Sequence, residues 1–372
     1  MEFGQIGFTE EQIDMLGVAE SFCREKSPID KVRSLMLDEA GYDKDVWKEI
    51  GALGWLAIAM PEEFEGVGLS LSEVVPVAEQ LGRYMLNSPF LSTTVAAQAI
   101  IMGGTKAQMK EVLPKISTGT AATLALSEKN GDWNLSNIEA SAALTGDGYQ
   151  LSGVKTFVMD LLAAEWVITS VNIKEKSALI IIPKDKIPDT AIRREKLIDE
   201  TKRGYELTLD GITLKQSAVM DIDKTTATFD HIHLAANLLG AAELTGSCQS
   251  CIDYTVEYLK TRKQFGKLIG SFQALKHPTV DAFIDYQKSR SLLYTAAFSF
   301  AKQGEGEIAT RMAKAQADQA ASFAADRSIQ FHGGFGFTYD CDAQLYRRRA
   351  IFHASQYGDA RYHKKKLADL LL

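Results

Sequence analysis

The stretch Tyr258-Leu-Lys-Thr-Arg-Lys-Gln-Phe-Gly-Lys-Leu-Ile-Gly-Ser-Phe-Gln-Ala-Leu-Lys-His277 decides the fold of this chain. It predicts the end of one helix, a loop that carries Arg262 and Phe265, and a second helix that opens after Ser271. Taken alone, the run also fits an ordinary helix end, where basic residues and a glycine are favoured. The Arg262 guanidinium offers donors in a fixed fork, so it is suited to clamp a phosphate.

A second segment, Gln330-Phe-His-Gly-Gly-Phe-Gly336, follows in the C-terminal part of the chain. Its paired glycines let another backbone or a ligand approach closely. Phe265 and Phe272 of the first segment offer apolar surface to a flat ring system. In this order and spacing, the two segments resemble the C-terminal helical domain of the acyl-CoA dehydrogenase family, and the resemblance covers nearly the whole chain. It implies an enzyme that uses FAD to introduce a double bond next to the thioester carbonyl of an acyl-CoA.

The composition excludes several other classes of protein. With 372 residues, 46% apolar and 24% charged, the chain has the composition of an ordinary globular protein of several domains. A net charge of −7 without a basic stripe argues against a nucleic-acid partner. No run approaches the ~18 apolar residues of a membrane span. The acidic N-terminus resembles neither a secretory signal nor a transit peptide, which predicts a cytoplasmic, bacterial protein.

The pattern along the chain predicts three domains: a helical domain over 1–119, a β domain over 120–235 and a helical bundle over 236–372. Strand-like runs lie at 122–127, 138–142, 149–157, 165–171, 178–182, 206–209 and 227–231. Thr145-Gly-Asp-Gly148 predicts a hairpin turn, since Asp-Gly supplies the positive φ angles that such turns need. The expected fold class is α+β: an N-terminal helical domain, a central β barrel or sandwich and a C-terminal four-helix bundle, as in acyl-CoA dehydrogenases.

The chain has four cysteines, and two of them have the spacing of a redox motif, Cys248-Gln-Ser-Cys251. They lie inside a long helical pattern rather than after a βαβ strand, and no second pair completes a zinc site. We therefore expect small residues that pack between helices, and no metal site.

The catalytic base is the most consequential residue that the resemblance implies. Many family members carry it in a Tyr-Glu-Gly segment near the C-terminus, where this chain has Ile351-Phe-His-Ala-Ser-Gln-Tyr-Gly-Asp359. No Glu stands there; Gln356 falls near the expected position, and Asp359 is a weak substitute. Other members place the base on the long helix before the Arg-Lys-Gln-Phe-Gly loop, which here predicts Glu243 as the base. Its Ala, Leu, Gly and Thr neighbours disfavour a charged carboxylate and would make it a stronger base. Glu243 could instead be a carboxylate that only stabilises a helix start.

The resemblance also implies which residues contact FAD. Arg262, Phe265 and Gln273 match the positions that hold the pyrophosphate and adenine end, and Gln330, Gly333 and Gly334 match the close-backbone segment. In the β domain, Leu126 and Ser127 match the strand that meets the flavin pyrimidine. Phe157 replaces the commoner Trp that covers the isoalloxazine, and Met159 stands where a Thr often bonds to flavin N5. The last two departures, with the loss of the usual Pro-Gly-X-Gly-Ser-Asp after Glu128, leave redox tuning and the substrate pocket open.

The resemblance implies an acyl-CoA substrate and electron-transfer flavoprotein as the electron acceptor. It implies a tetramer in which the Arg262–Gln273 segment serves a neighbour's FAD. Because the β-domain motif has departed from the family pattern, two assemblies stay open: a homotetramer and a heterotetramer with a sister acyl-CoA dehydrogenase subunit. The same fold is also compatible with an acyl-CoA oxidase, an enoyl-CoA reductase or a non-catalytic partner subunit.

Overall fold

A computed structural model describes residues 10–146, 148–302 and 304–372, without the side chains of Glu10, Glu11 and Glu305. The chain forms two compact units. The helical unit takes Met1–Val32 (described from residue 10), Leu71–Leu86 and Asn237–Leu372. The sheet unit takes Arg33–Ser70 and Asn87–Ala236. Neither unit is continuous in sequence.

The α-helices of the described residues are numbered in chain order. They are α1 (Glu10–Lys26), α2 (Ile29–Met36), α3 (Lys44–Ala52), α4 (Leu71–Arg83), α5 (Phe90–Gly103), α6 (Lys106–Ser117), α7 (Thr225–Thr261), α8 (Gln273–Ser299), α9 (Glu305–His332), α10 (Ala343–Ser355) and α11 (Ala360–Leu371). Local sequence explains several of their ends. Thr105 and Gln108 form a reciprocal capping box at the start of α6. Asp359 caps α11 by accepting a hydrogen bond from the backbone N–H of Tyr362.

The strands of the described residues are also numbered in chain order. They are β1 (Ala122–Ala125), β2 (Ser141–Thr145), β3 (Gly148–Ser152), β4 (Val154–Met159), β5 (Trp166–Ile173), β6 (Lys176–Pro183), β7 (Ile192–Arg194), β8 (Gly204–Thr208), β9 (Thr213–Lys215), β10 (Lys263–Gln264) and β11 (Lys267–Leu268). In the sheet unit, one sheet has the order β1-β5-β2-β3-β9, with β6 also paired to β5. A second sheet has the order β4-β8-β7.

The predicted hairpin is confirmed. Thr145 of β2 pairs with Gly148 of β3 in an antiparallel register, and Gly146 has a φ of +59°. Glycine adopts this left-handed conformation without a steric cost. The other residue of the turn, Asp147, lies outside the described residues. The predicted fold class is confirmed as well, because helices precede the sheets and helices follow them. The three predicted domain ranges stay a prediction.

The predicted strand at 227–231 is wrong, because these residues belong to α7. The threonines at 225, 226 and 228 gave the run its strand-like composition, since β-branched residues are enriched in strands. The apolar residues nevertheless recur at helical spacing: Phe229, Ile232 and Ala236 are all buried on one face. Burial of that face outweighs local strand propensity.

Arg203 holds an N-terminal segment of the sheet unit in place. Its buried guanidinium donates to six backbone carbonyls, those of Leu35, Met36, Asp38, Glu39, Glu200 and Lys202. Gly41 lies so close to this side chain that a β-carbon there would fall 2.5 Å from its Nε. In the part of the chain that the structure describes, no helix is long and apolar enough to cross a membrane.

Candidate active site

Glu243 lies in the middle of α7, and only 2% of its surface is exposed. Its neighbours Ala241, Ala242 and Leu244 are buried as well. The sequence prediction that Glu243 sits in apolar surroundings is thus reproduced in the helical unit. A carboxylate this far from solvent is costly unless a charged or hydrogen-bonding partner compensates for it.

His353 of α10 provides that partner. Its Nε2 lies 2.6 Å from Oε2 of Glu243, and its side chain is equally buried. The contact is an ion pair when the imidazole is protonated. The sequence analysis missed His353. Its position three residues before Gln356, in the C-terminal segment that lacks a Glu, was the available signal.

Lys314 of α9 fixes the backbone on which His353 sits. Its Nζ donates to the carbonyl oxygens of His353, at 2.9 Å, and of Gly358, at 3.1 Å. Burial lowers the pKa of Lys314 to about 8, although Asp318 and Asp359 favour its charged form. One buried cation therefore ties the end of α10 to the turn before α11.

That turn contains the residues that stand in place of a Tyr-Glu-Gly segment. Counting back from Gly358, Tyr357 rather than Gln356 directly precedes the glycine. Tyr357 has a φ of +53°, its carbonyl accepts a hydrogen bond from Nδ2 of Asn237, and burial raises its pKa to about 12. The carboxylate of Asp359 accepts from the backbone of Tyr362 at 2.7 Å. Asp359 thus serves as the N-cap of α11.

A cleft of about 790 Å³ lies where the two segments singled out in the sequence meet. The predicted cofactor contacts on its lining are Arg262, Phe265, Gln330, Gly333 and Gly334. Phe265 is 90% exposed, and its ring meets that of Phe272 edge to face at 6.3 Å. Gln273 begins α8 beside the cleft but is exposed and does not line it. The structure thus brings together five of the six predicted contacts in this region.

The glycine pair leaves room beside the cleft. Gly333 ends α9 with a φ of +63° and a ψ of −139°, a conformation that favours glycine. A β-carbon added at Gly333 or Gly334 would meet no atom within 4 Å. A flat group can therefore approach this backbone more closely than it could approach a residue with a side chain.

His332 and Arg327 add polar groups to the cleft that the sequence analysis did not identify. Nδ1 of His332 donates to the carbonyl of Ser328 at 2.7 Å, and its ring stacks on Tyr258 at 4.0 Å. Burial lowers the pKa of His332, so the neutral ring presents Nε2 as an acceptor. Among the described residues this buried Nε2 has no hydrogen-bond partner, and neither has Nε of Arg327. Both atoms can bind a polar group of a ligand.

The predicted contacts of the sheet unit lie around the end of β1 and a bulge in β4. Leu126 and Ser127 follow β1, and the carbonyl of Ser127 accepts from the backbone N–H of Thr156 at 2.9 Å. The register of β4 against β8 shifts between Lys155 and Val158. Phe157 lies in this bulge with a φ of +52° and is 45% exposed.

A carboxylate holds the bulge in place. The backbone N–H of Phe157 donates to Oε2 of Glu195 at 2.9 Å. Two residues on, Met159 is half-buried, and its carbonyl accepts from the Thr123 hydroxyl.

Comparison with known proteins finds two matching domain models. The model of the acyl-CoA dehydrogenase N-terminal domain matches residues 9–120, and that of the C-terminal domain matches residues 235–369. The acyl-CoA dehydrogenase IpdE2 of Mycolicibacterium smegmatis is 27% identical over 337 residues, which are 90% of this chain and 91% of that protein.

Two solved structures share the fold. The Tcur3481-Tcur3483 steroid ACAD, solved as a variant, is 27% identical with a TM-score of 0.86 and covers 97% of this chain and 98% of its own. The ChsE4-ChsE5 complex from Mycobacterium tuberculosis is 24% identical with a TM-score of 0.86 and covers 98% of both chains. The second likeness concerns the fold alone.

The two domain models together match more than half of the chain, which belongs to the acyl-CoA dehydrogenase family. It is therefore an enzyme, an oxidoreductase of the acyl-CoA dehydrogenase class. Members of this family are in general FAD-dependent. The cleft fits such a group, because it combines an unpartnered acceptor at His332 with an open glycine backbone.

Proposed function

We propose that this protein is a FAD-dependent dehydrogenase that introduces the α,β double bond of an acyl-CoA thioester and passes the electrons to electron-transfer flavoprotein. The observation that carries the proposal is the buried Glu243 with His353 at 2.6 Å. Glu243 is a carboxylate shielded from solvent, whereas the carboxylate in the C-terminal turn, Asp359, caps a helix.

The reaction balances with one base and one hydride acceptor. The Glu243 carboxylate takes the α-proton, the electron pair of the Cα–H bond becomes the new double bond, and hydrogen leaves the β-carbon with its own electron pair. When bound, FAD supplies the acceptor for that hydride. Glu243 is shielded from bulk water and has His353 as a partner, so its carboxylate is held in place to take a proton from a bound substrate. Donors that polarise the thioester oxygen would stabilise the developing enolate.

In the proposed tetramer, the cleft of the helical unit would hold the phosphate and adenine end of a neighbouring subunit's FAD. Arg262 suits the pyrophosphate, because its guanidinium is exposed and lines the cleft. Phe265 offers its ring, Gln330 its amide, and Gly333 and Gly334 an open backbone. Gln273, at the start of α8, would join them from beside the cleft.

The sheet unit would meet the flavin ring. Leu126 and Ser127 would face its pyrimidine side, and the exposed Phe157 would cover the tricyclic system. Met159 carries no donor, so a hydrogen bond from this side chain to flavin N5 is not part of the proposal.

The assembly is either a homotetramer or a heterotetramer with a sister subunit. Both similar structures carry paired component names, Tcur3481-Tcur3483 and ChsE4-ChsE5. They support testing the chain both alone and with a sister subunit. The first of them is a steroid ACAD, so steroid acyl-CoAs belong in the substrate panel beside straight and branched acyl-CoAs.

The decisive experiment starts with the visible spectrum of the purified chain and the amount of FAD per subunit. We expect stoichiometric flavin that bleaches without oxygen when an accepted acyl-CoA is added. Glu243→Gln should keep its flavin but lose roughly a thousandfold in the rate of bleaching. Glu257→Gln is the matched control, since Glu257 lies on the same helix but is exposed.

Different outcomes would indicate a different enzyme or assembly. Release of peroxide in air would indicate an oxidase, and faster turnover with an enoyl-CoA and a reductant would indicate a reductase. A colourless, folded chain that acquires flavin only with a sister subunit would indicate the heterotetramer. If Glu243→Gln leaves that complex fully active, this chain is not its catalytic subunit.

A further inference from the structure

The surroundings of Glu243 contain more than a base. Three helices of the helical unit bring Glu243 (α7), Lys314 (α9) and His353 (α10) together. Gly240, one turn before Glu243, leaves space for this group: a β-carbon there would lie 3.8 Å from Nδ1 of His353 and 3.9 Å from Cε of Lys314. The cluster is therefore contiguous, with no bulky side chain at position 240 to separate its members.

We propose that His353 is the positioning residue of the catalytic base: it fixes the orientation of the Glu243 carboxylate through Oε2 and keeps it ionised until the α-proton is taken. This inference rests on the proposed function, in which Glu243 is the base. His353 need not touch substrate or cofactor for this role.

The choice of histidine has a physical reason. A buried carboxylate without a cation is strongly destabilised and takes up a proton instead. An arginine or lysine would carry a permanent charge and hold the carboxylate in a strong ion pair, which would weaken it as a base. The imidazole of histidine gains or loses its proton near neutral pH, so its positive charge is not permanent. It can support the ionised carboxylate and still tolerate its protonation during turnover.

Lys314 makes this role geometrically possible. Lys314 donates hydrogen bonds to the carbonyls of His353 and Gly358 and so fixes the backbone at the end of α10. The imidazole is thereby held next to Glu243. Lys314 contacts the backbone of His353 rather than the Glu243 carboxylate in these hydrogen bonds. The direct contact with the base is left to the imidazole.

Other charged groups lie on the helices around this cluster, and most of them have partners of their own. On α9 and at the start of α11, Asp318 and Asp359 face Lys314, and their carboxylates accept backbone N–H groups. On α4, whose Gly82 packs against Glu243, the carboxylate of Glu79 is paired with Arg290. On the same helix, Arg83 is paired with Glu20. Other titratable groups on these helices are the ion pair Arg311–Glu307 on α9, the buried Arg349 on α10 and His363 on α11, which lies 3.5 Å from Arg311.

The first test is a histidine titration by ¹H–¹⁵N NMR of the flavin-loaded protein. The chain has six histidines, so the imidazole paired with Glu243 can be found by comparing the protein with its Glu243→Gln variant. We expect one imidazole to lose its proton at a pH about one unit lower in Glu243→Gln, because the anion that stabilised its charge is gone. If no imidazole shifts, the proposal is overturned. This result does not depend on turnover or on a variant of His353.

The second test is kinetic. His353→Gln, with the same flavin content as wild type, should lower kcat by about 10- to 100-fold while KM changes less than about threefold. The acid limb of its kcat–pH profile should move to higher pH by about one unit, since a buried carboxylate without a cation is protonated more easily. His277→Gln is the control, because His277 is exposed on α8.

The outcomes separate this inference from the proposed function. Activity in Glu243→Gln would contradict the base assignment itself. An inactive Glu243→Gln together with an unchanged kcat and pH profile in His353→Gln would overturn the role of His353 alone. A loss of kcat in His353→Gln without a shift of the pH profile would mean a merely structural role and would also overturn it.

Discussion

Gly82 of α4 lies directly against the backbone of Glu243: a β-carbon built on Gly82 would fall 2.1 Å from the carbonyl oxygen of Glu243. One turn further along α7, a β-carbon on Gly246 would fall 1.9 Å from the carbonyl oxygen of Glu79. Each helix thus offers a glycine to the backbone of the other. This double contact fixes the position of Glu243 along the axis of α4, because backbone atoms cannot move out of the way as a flexible side chain can.

The first prediction follows from that contact. Gly82→Ala forces α4 and α7 apart, and we expect a loss of about 1–3 kcal/mol in the free energy of unfolding. The displacement of Glu243 should also lower kcat, because a misplacement of about 1 Å in an active site can lower the rate about 100-fold. Thermal unfolding by circular dichroism and the rate of flavin bleaching measure the two effects. Gly17→Ala is the control, since nothing lies within 4 Å of its β-carbon; equal behaviour of the two variants would contradict the prediction.

The sequence could predict the residues of the cleft and the apolar neighbours of Glu243, because short local patterns mark both; the role of Glu243 as base stays a prediction. Arg262, Phe265, Gln330 and Gly334 lie within two segments whose helix ends and loops are set by nearby residues, and the structure places them around one cleft. Glu243 was distinguished by the apolar residues beside it on the same helix. In each case the deciding interactions are a few residues away in the chain.

The contacts that complete the site could not be predicted in this way. His353 lies 110 positions after Glu243 in the sequence, so their contact arises only from the packing of α10 on α7. The roles of Lys314 and His332 likewise depend on burial, which the sequence does not specify for a single polar residue. The strand expected at 227–231 failed for the same reason, because packing along α7 outweighed the local preference of its threonines.

The second prediction concerns the cleft. Gly334→Ala adds a methyl group that has no atom within 4 Å. The free energy of unfolding should therefore change by less than about 0.5 kcal/mol, as is typical of surface substitutions, and the thermal midpoint should stay close to that of the wild type. If the cleft holds FAD against this backbone, the flavin content per subunit should fall at least about tenfold at limiting FAD, a cost of about 1.4 kcal/mol. Absorbance after gel filtration measures the bound flavin. Full flavin content in a stable Gly334→Ala variant would place the cofactor elsewhere, and Gly17→Ala again serves as the control.

The third prediction concerns the thiols. Burial raises the pKa of Cys248 and raises that of Cys251 to about 12, and all four cysteines are buried and free. A thiol without thiolate character or access reacts slowly. We expect the native protein to resist a thiol-specific disulfide reagent at about pH 8, and all four thiols to react once urea unfolds the chain. Rapid loss of two thiols under mild oxidation of the native protein would instead support a redox-active Cys248-Cys251 pair.

The last prediction concerns the buried ion pair of the sheet unit. Lys155 and Glu128 are 2.6 Å apart with side chains 0% and 3% exposed, and Lys155 also donates to the Ser170 hydroxyl. Glu128 accepts the backbone N–H groups of Glu139 and Ala140 and thereby closes the loop that follows β1. Lys155→Met would leave a buried carboxylate with its two backbone donors but without a cation, and we expect a loss of about 3–5 kcal/mol in the free energy of unfolding.

Acid should reveal the same pair. Burial alone would raise the pKa of Glu128, but Lys155 and the two backbone donors outweigh it and hold the pKa below the ordinary value of 4.5. The pair therefore stabilises the fold above that pH, and the stabilisation is lost as the pH falls below it. In urea unfolding, the double variant Lys155→Met/Glu128→Gln should recover part of the lost stability, and its stability should depend less on pH than that of the wild type.

Lys48→Met is the control. The side chains of Lys48 and its partner Asp45 are 76% and 84% exposed, so their ion pair should contribute little to stability. A Lys155→Met variant as stable as Lys48→Met would show that the buried pair does not hold the loop.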